Sequence, residues 1–377
     1  MADNNENKVL NVPHLRFPEF SGEWKKCKLG DLCNVLMCKR ILVSQTNTED
    51  GVPFYKIGTI GSTPDAYISK ELFDDYKVKY NYPRKGEVMI TCAGTVGKCV
   101  VYDGEDAYFQ DSNIVWIDNP TQYISNGFLF HLLSKVDWRK LNSTTIIRIY
   151  NDDLRNLKMS YPRKEEQQKI SHLLSLLDER IATQNKIIED LKKLKSAISE
   201  RLFNAIKGDV VVLEDIGDVV KGKQINGEFL SESGKYYVMN GGIEPSGFYN
   251  DYNVEANTIS ISEGGNSCGY VQFNACPFWS GGHCYTIQNT TDNVKTEYLY
   301  QFLKSKESEI MKLRIGSGLP NIQKKDLAKF KITIPNISEQ KVISAFLSSF
   351  ERKADVEMNF VNLLLEEKQY LLRQMFI

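Results

Sequence analysis

The sequence predicts an α+β protein: two mixed α/β heads, each followed by a long helix, with the two helices pairing as an antiparallel coiled coil in an internal pseudo-twofold repeat. Three observations carry this prediction. A motif recurs 173 residues apart, YPRKEEQQKISHLL from Tyr161 and IPNISEQKVISAFL from Ile334. Apolar residues follow each copy at heptad spacing. Ahead of each copy lie short β-rich runs broken by glycine clusters, the pattern of hairpins and a mixed sheet. These features divide the chain into a flexible tail at 1–11, a first head at 12–160, a first long helix at 161–207, a second head at 208–334 and a second long helix at 335–377.

The helices are the clearest element. The copies align without a gap from Pro162 and Pro335 to Phe203 and Phe376, and the offset reaches back to place Ile149 on Ile322. Each has proline just before it, where a helix start tolerates it. The first seam is Ile170, Leu174, Leu177, Ile181, Ile188, Leu191, Ile198 and Leu202. The second is Ile343, Leu347, Phe350, Ala354, Val361, Leu364, Leu371 and Met375. The polar exceptions coincide as well: Gln184 with Glu357, and Lys195 with Lys368. A polar seam residue costs stability and is best attested as a device for register or partner choice. At equivalent sites it suggests helices meeting about a pseudo-twofold; exposed lysines that snorkel are the alternative. Roughly 40 residues at 1.5 Å each make rods of roughly 60 Å.

The heads repeat in layout and hardly in letters. KLGDLCNVL from Lys28 matches LEDIGDVVKGK from Leu213. VMITCAGTVGKCVVYD, from Val88, and TISISEGGNSCGYVQF, from Thr258, each read as strand, turn, strand. Helical pieces follow at Phe128–Trp138 and Tyr298–Leu313. Similar rods carrying dissimilar heads suggest one scaffold with two reading surfaces of different specificity.

Composition fits a globular protein, with 42% hydrophobic and 25% charged residues. No apolar run approaches the roughly 20 residues of a membrane span. The start, MADNNENKVLNV, lacks the basic and apolar regions of a signal peptide. Eight cysteines without a C-x-x-C pair read as reduced thiols in a cytoplasmic protein. Cys268, Cys276, Cys284 and His283 imitate a metal cluster, yet strand and turn positions explain them better. A net charge of −1 disfavours a protein that coats nucleic acid indiscriminately, but permits a site-specific binder with local basic patches.

No catalytic motif stands out. AGTVGK (Ala93–Lys98) is too short between its glycines for a phosphate loop and joins strands instead of opening a helix. The four histidines form no metal-ligand pair, and Asn119-Pro120 is followed by threonine. What remains are polar and basic residues near turns: Lys56, Arg84, Lys85, Lys98, Gln110, Asn113 and Arg148 in the first head, and Lys221, Lys223, Asn266, Arg314, Lys324 and Lys325 in the second. Such side chains make phosphate contacts and bidentate base contacts with duplex DNA.

A closing strand, a proline, then E-Q-x-x-I and a long helix, twice, after dissimilar domains, resembles the specificity subunit of type I restriction-modification systems. PRKEEQQKI, PNISEQKVI and the N-terminal VPHLRFPEF followed by WKKCKLGDL carry the likeness, which covers essentially the whole chain. The resemblance implies that each head is a target recognition domain reading one half of a bipartite double-stranded DNA site, and that the helices set the spacer. It implies two methyltransferase subunits and restriction subunits as partners. S-adenosylmethionine, ATP and Mg would sit on those partners, with no catalysis, metal or cofactor on this chain and no membrane. The alternatives are a coiled-coil scaffold without DNA recognition and an enzyme with an unrecognised active site. One departure is expected: the second helix ends at Ile377 straight after its last heptad, leaving little chain to return to the first head.

Overall fold

The computed structural model describes residues 10–140, 148–316 and 318–377. In the first copy the strands are β1 (Lys25–Lys28), β2 (Asn34–Leu36), β3 (Val52–Tyr55), β4 (Tyr67–Ile68), β5 (Val88–Thr91), β6 (Cys99–Val101), β7 (Tyr108–Phe109), β8 (Ile114–Asp118) and β9 (Lys158–Tyr161). Helices α1 (Lys70–Lys79), α2 (Asn126–Lys135) and α3 (Asn151–Arg155) intervene, and α4 (Lys164–Ala205) follows. The second copy has β10 (Asp209–Val212), β11 (Asp218–Lys221), β12 (Tyr236–Met239), β13 (Phe248–Tyr249), β14 (Thr258–Ser262), β15 (Val271–Asn274), β16 (Trp279–Ser280), β17 (Cys284–Gln288) and β18 (Lys331–Ile334). Its helices are α5 (Leu213–Ile216), α6 (Thr296–Ser305), α7 (Glu307–Met311), α8 (Lys324–Ala328) and α9 (Ile337–Met375).

The nine strands repeat strictly. The first head holds sheets β2-β8-β5-β6 and β4-β3-β7 and the ribbon β1-β9; the second holds β11-β17-β14-β15, β13-β12-β16 and β10-β18. All pairs are antiparallel except β3 with β7 and β12 with β16. The chain divides into two compact units: residues up to 183 with 361–377, and residues 184–360. Each unit is therefore a head with a half of each long helix.

In the first unit β5 is buried on both faces. Val88 and Ile90 join a core with α2 and the start of α4, while Met89 packs with Trp116 on the opposite side. In the second unit Ile259 and Ile261 face the corresponding core. Its other face is polar: the buried Asn274 amide donates to the Thr258 carbonyl and Ser260 Oγ, both at 2.9 Å.

Every predicted seam residue is buried or half-buried. In the second unit Gln184 bonds to its own repeat partner Glu357, and Lys195 reaches Glu351 at 2.7 Å. In the first unit Lys368 pairs with Asp178. Residue numbers on one helix fall as those on the other rise, so the helices run antiparallel within each unit. The two lysines occupy equivalent seam positions and both take a carboxylate from the facing helix, which decides against free snorkelling.

Two expectations change in the first unit. Asn11, assigned to the tail, is buried and donates to the Trp24 carbonyl at 2.7 Å; residues 1–9 lie outside the described residues. The end of α9 does reach the first head. Leu372, Met375 and Phe376 enter its core, Phe376 lies against Phe128 and Trp24, and Lys135 Nζ donates to the Phe376 carbonyl at 3.0 Å. Little chain is needed, because the last heptad itself supplies the apolar contacts and residues 11–24 supply the rest.

Candidate functional site

The repeated motif fixes each head to its helix. Gln167 is fully buried; its amide donates to the carbonyls of Tyr123 and Pro162 at 2.9 Å, and its oxygen accepts from Ser125 N–H at 2.7 Å. Gln340 does the same with Asn293, Pro335 and Lys295. One side chain thus satisfies three backbone groups, one of them in a buried contact where an unpaired carbonyl would be a costly orphan. This explains why glutamine recurs there, and it holds each head's sheet in a fixed register with its helix.

On that base, both heads build one turn by one backbone rule. Gly97 N–H closes onto the Thr91 carbonyl and Gly269 N–H onto Ser262, each at 2.8 Å. Both glycines have positive φ, +83° and +91°, and a Cβ would strike Trp138 in the first head and Met311 in the second. Only glycine fits a left-handed residue pressed against a side chain. A second segment crosses each turn at the repeated isoleucine: Ile149 N–H donates to the Cys92 carbonyl and Ile322 N–H to Glu263. The turns are therefore rigid platforms whose side chains are free to differ.

Around the first turn the structure gathers Lys56, Lys98, Gln110, Asn113 and Arg148. Lys98 Nζ donates to the Ile60 carbonyl at 2.5 Å, and Gln110 Oε1 accepts from Ile57 N–H at 3.3 Å. Lys56 lines a cleft of about 270 Å³ with Gln110 and Arg40, and pairs with Asp65 at 3.0 Å. Arg148 reaches the Ser112 carbonyl, next to Asn113, and lies over the Tyr150 ring. Arg84 and Lys85 are exposed but belong elsewhere: they precede β5, at the end of the hairpin away from the turn. Sequence reasoning missed Arg40 and the exposed Leu42 and Val43 beside it, since nothing local distinguishes them from ordinary loop residues.

Around the second turn stand Lys221, Asn266, Arg314 and Lys324, with Lys325 one residue further along α8, whereas Lys223 lies against β16, where its N–H donates to the Ser280 carbonyl at 2.9 Å. Glu263, which was not anticipated, joins Lys221 to Tyr285 at the start of this turn. Lys221 Nζ lies 2.6 Å from its Oε1 and Tyr285 OH donates to the same atom at 3.0 Å. Oε2 is buried without a hydrogen-bond partner, 3.7 Å from His283 Nδ1. Asn266 in the turn is exposed, as are Lys223 and Arg314. An acid opening a glycine turn was the only available signal, and its partners come from strands far away in sequence.

Several groups with reactive potential are buried in the two heads. Burial pushes the Cys92 and Cys284 thiols up to about 11, far from the thiolate a nucleophile needs. His131 is buried in α2 and its pKa is pushed down to about 4 by that burial. Asn119 donates to the Ile124 carbonyl at 2.6 Å and to Asn126, bracing a loop. Cys268 and Cys284 are buried in the second head while Cys276 is exposed. Among the described residues no helix is long and apolar enough to cross a membrane.

Comparison with known proteins gives a consistent picture. The type I restriction modification DNA specificity domain matches twice, over residues 21–193 and 207–364. A type I restriction enzyme specificity subunit of Haemophilus influenzae is 46% identical over 184 residues, 49% of this chain and 45% of its own length. The chain thus aligns with under half of that relative. Two specificity subunits of Methanocaldococcus jannaschii are 22% identical over 93% of this chain and over 92% and 91% of their own. The crystal structure of a type I restriction-modification S subunit from M. genitalium shares the fold, with a TM-score of 0.64 and 20% identity over 97% of this chain and 99% of that one.

Proposed function

The chain belongs to the type I restriction modification DNA specificity family, and from that premise we propose that it is the DNA-reading subunit of such a system. Each head reads one half of a bipartite, asymmetric duplex site, and the long helices set the spacer. The subunit itself is non-catalytic. It recruits two methyltransferase subunits, which hold S-adenosylmethionine and methylate adenine, and restriction subunits that use ATP and Mg, all in the cytoplasm.

The observation that carries this reading is the pair of turn platforms. They share backbone closure, glycine placement and a crossing isoleucine, yet one displays Lys98 amid Lys56, Gln110 and Arg148, the other Asn266 amid Lys221, Glu263 and Arg314. Platforms closed by the same kind of glycine contact, the second one residue longer, with unequal side chains suit two readings by related geometry. Lysine and arginine supply phosphate contacts; asparagine, glutamine and glutamate supply contacts to base edges. A net charge of −1 fits a subunit whose partners share the phosphate grip. A pure scaffold has no use for two dissimilar displays on one repeated frame.

The test is to co-express the chain with its methyltransferase partner and map methylated adenines across a genome. A split motif with a fixed gap is expected. Exchanging residues 12–160 for another head should change one half of that motif, and removing Gln184–Asp190 together with Glu357–Leu363 should shorten the gap alone. No methylation with a soluble, intact partner would overturn the reading. So would a head exchange that altered both halves.

A further inference from the structure

The repeat is incomplete at one place. In the first unit a strap formed by residues 11–24 lies over the start of α4. Arg16 makes a bidentate pair with the fully buried Glu166, Nε to Oε1 and Nη2 to Oε2, both at 2.7 Å. Leu15 N–H donates to the Gln374 carbonyl at 2.9 Å, Lys169 pairs with Glu19, and the Lys169 ammonium lies 4.6 Å from the Phe17 ring centre. Under this strap Ile170 and Met375 are fully or almost fully buried.

The second unit has the same ground with no described residue strapped over it. Glu339, Val342, Ile343 and Leu202 are the repeat counterparts of Glu166, Lys169, Ile170 and Met375. Together with Ala205 and Ile206 they line an open apolar groove of about 500 Å³. Glu339 is exposed, Val342 is 69% exposed, and Phe346, one turn on, is 47% exposed. No strap of its own can form: only residues 204–208 separate the docked Phe203 from β10 at Asp209.

We propose that this groove receives an extended segment of a partner protein that carries an arginine beside an aromatic residue, as the first unit receives Leu15–Phe20. The arginine would pair with Glu339 and the aromatic ring would cover Val342 and Ile343. The internal repeat is the template, and the exposed carboxylate next to an apolar floor supplies the complementarity. A strap donated by a second copy of this chain is the less favoured occupant. Its withdrawal would strand Glu166 as a buried carboxylate without its guanidinium. Peptide capture here does not depend on DNA recognition, so either reading can fail without the other.

The probe is a fluorescein-labelled synthetic peptide of residues 12–23, titrated with the full chain and followed by anisotropy. Saturable binding is expected, weakened at least about tenfold, or about 1.4 kcal/mol, by Val342→Glu and by Glu339→Arg. A peptide with glutamate in place of its arginine should bind the Glu339→Arg chain better than the native peptide does. Both positions are exposed, so the variants should fold, and unchanged circular dichroism and melting would establish that. Absence of saturation, or binding that Val342→Glu leaves untouched, would overturn the proposal. Concentration-dependent dimerisation abolished by Val342→Glu would overturn it in favour of an exchanged strap.

Discussion

The first and second units share nine strands in the same order, the same glutamine clamp and the same glycine-closed turn, yet they differ in three places. The outer face of the β5 sheet is apolar in the first head, with Met89 and Trp116, whereas the matching face in the second is a buried polar network around Asn274. Position 131 is a buried histidine in α2, whereas Gln301 on α6 donates to Glu351 at 2.9 Å. And among the described residues only the first unit wears a strap. The lesson is that what repeats is what satisfies the backbone. A clamp that pairs three main-chain groups at once, or a glycine held at positive φ, has no cheap substitute. A buried face accepts any set that packs or pairs completely, so its letters drift while its shape persists.

The strap offers the hardest blow to this comparison. Arg16→Ala leaves Glu166 buried with only the Trp24 indole at 3.2 Å, so a loss of about 3–5 kcal/mol is expected. Glu339→Ala, the counterpart acid in the second unit, should stay within about 0.5 kcal/mol because the side chain is exposed. Urea melts of the full chain measure both, and equal costs would show that the units are not asymmetric in this respect.

The clamp should behave in the opposite way. Gln167→Ala and Gln340→Ala each orphan three backbone groups, and each should cost about 2–4 kcal/mol. Similar midpoint shifts for the two variants would sharpen the equivalence; a large cost in one alone would break it.

The helical histidine separates the units by pH. Its folded pKa of about 4 lies below the ordinary 6.5, so the unfolded chain binds the extra proton between those values. Stability from this site is therefore complete above about pH 6.5 and is lost as pH falls towards 4, by up to about 3 kcal/mol. His131→Gln, which imitates the second unit, should flatten that part of the stability profile measured by denaturant melts. An unchanged slope would mean that other groups carry it.

The smallest effect belongs to the seam. Lys195→Ala and Lys368→Ala remove partly buried ion pairs with Glu351 and Asp178, and each should cost about 1 kcal/mol. Because the two positions are equivalent, thermal melts should shift alike; a cost of several kcal/mol at one would single it out as a register lock.

The sequence by itself determined the repeat, the two helices and their seam, because heptad periodicity and a recurring motif are local patterns that burial of one helix face enforces. Hairpins at Val88 and Thr258 were equally legible, since glycines between β-rich runs leave few other conformations. It was tertiary structure that decided which polar residues meet. Lys98 and Gln110 converge on one turn while Arg84 and Lys85 do not, because strand order, not sequence distance, sets which loops are neighbours. Glu263 gained its partners only when β11, β14 and β17 brought Lys221 and Tyr285 to it. The fate of the chain's end was hidden for the same reason. Phe376 closes on Trp24 across 352 positions of sequence, a contact that no local pattern encodes and that only the burial of both rings in one core makes favourable.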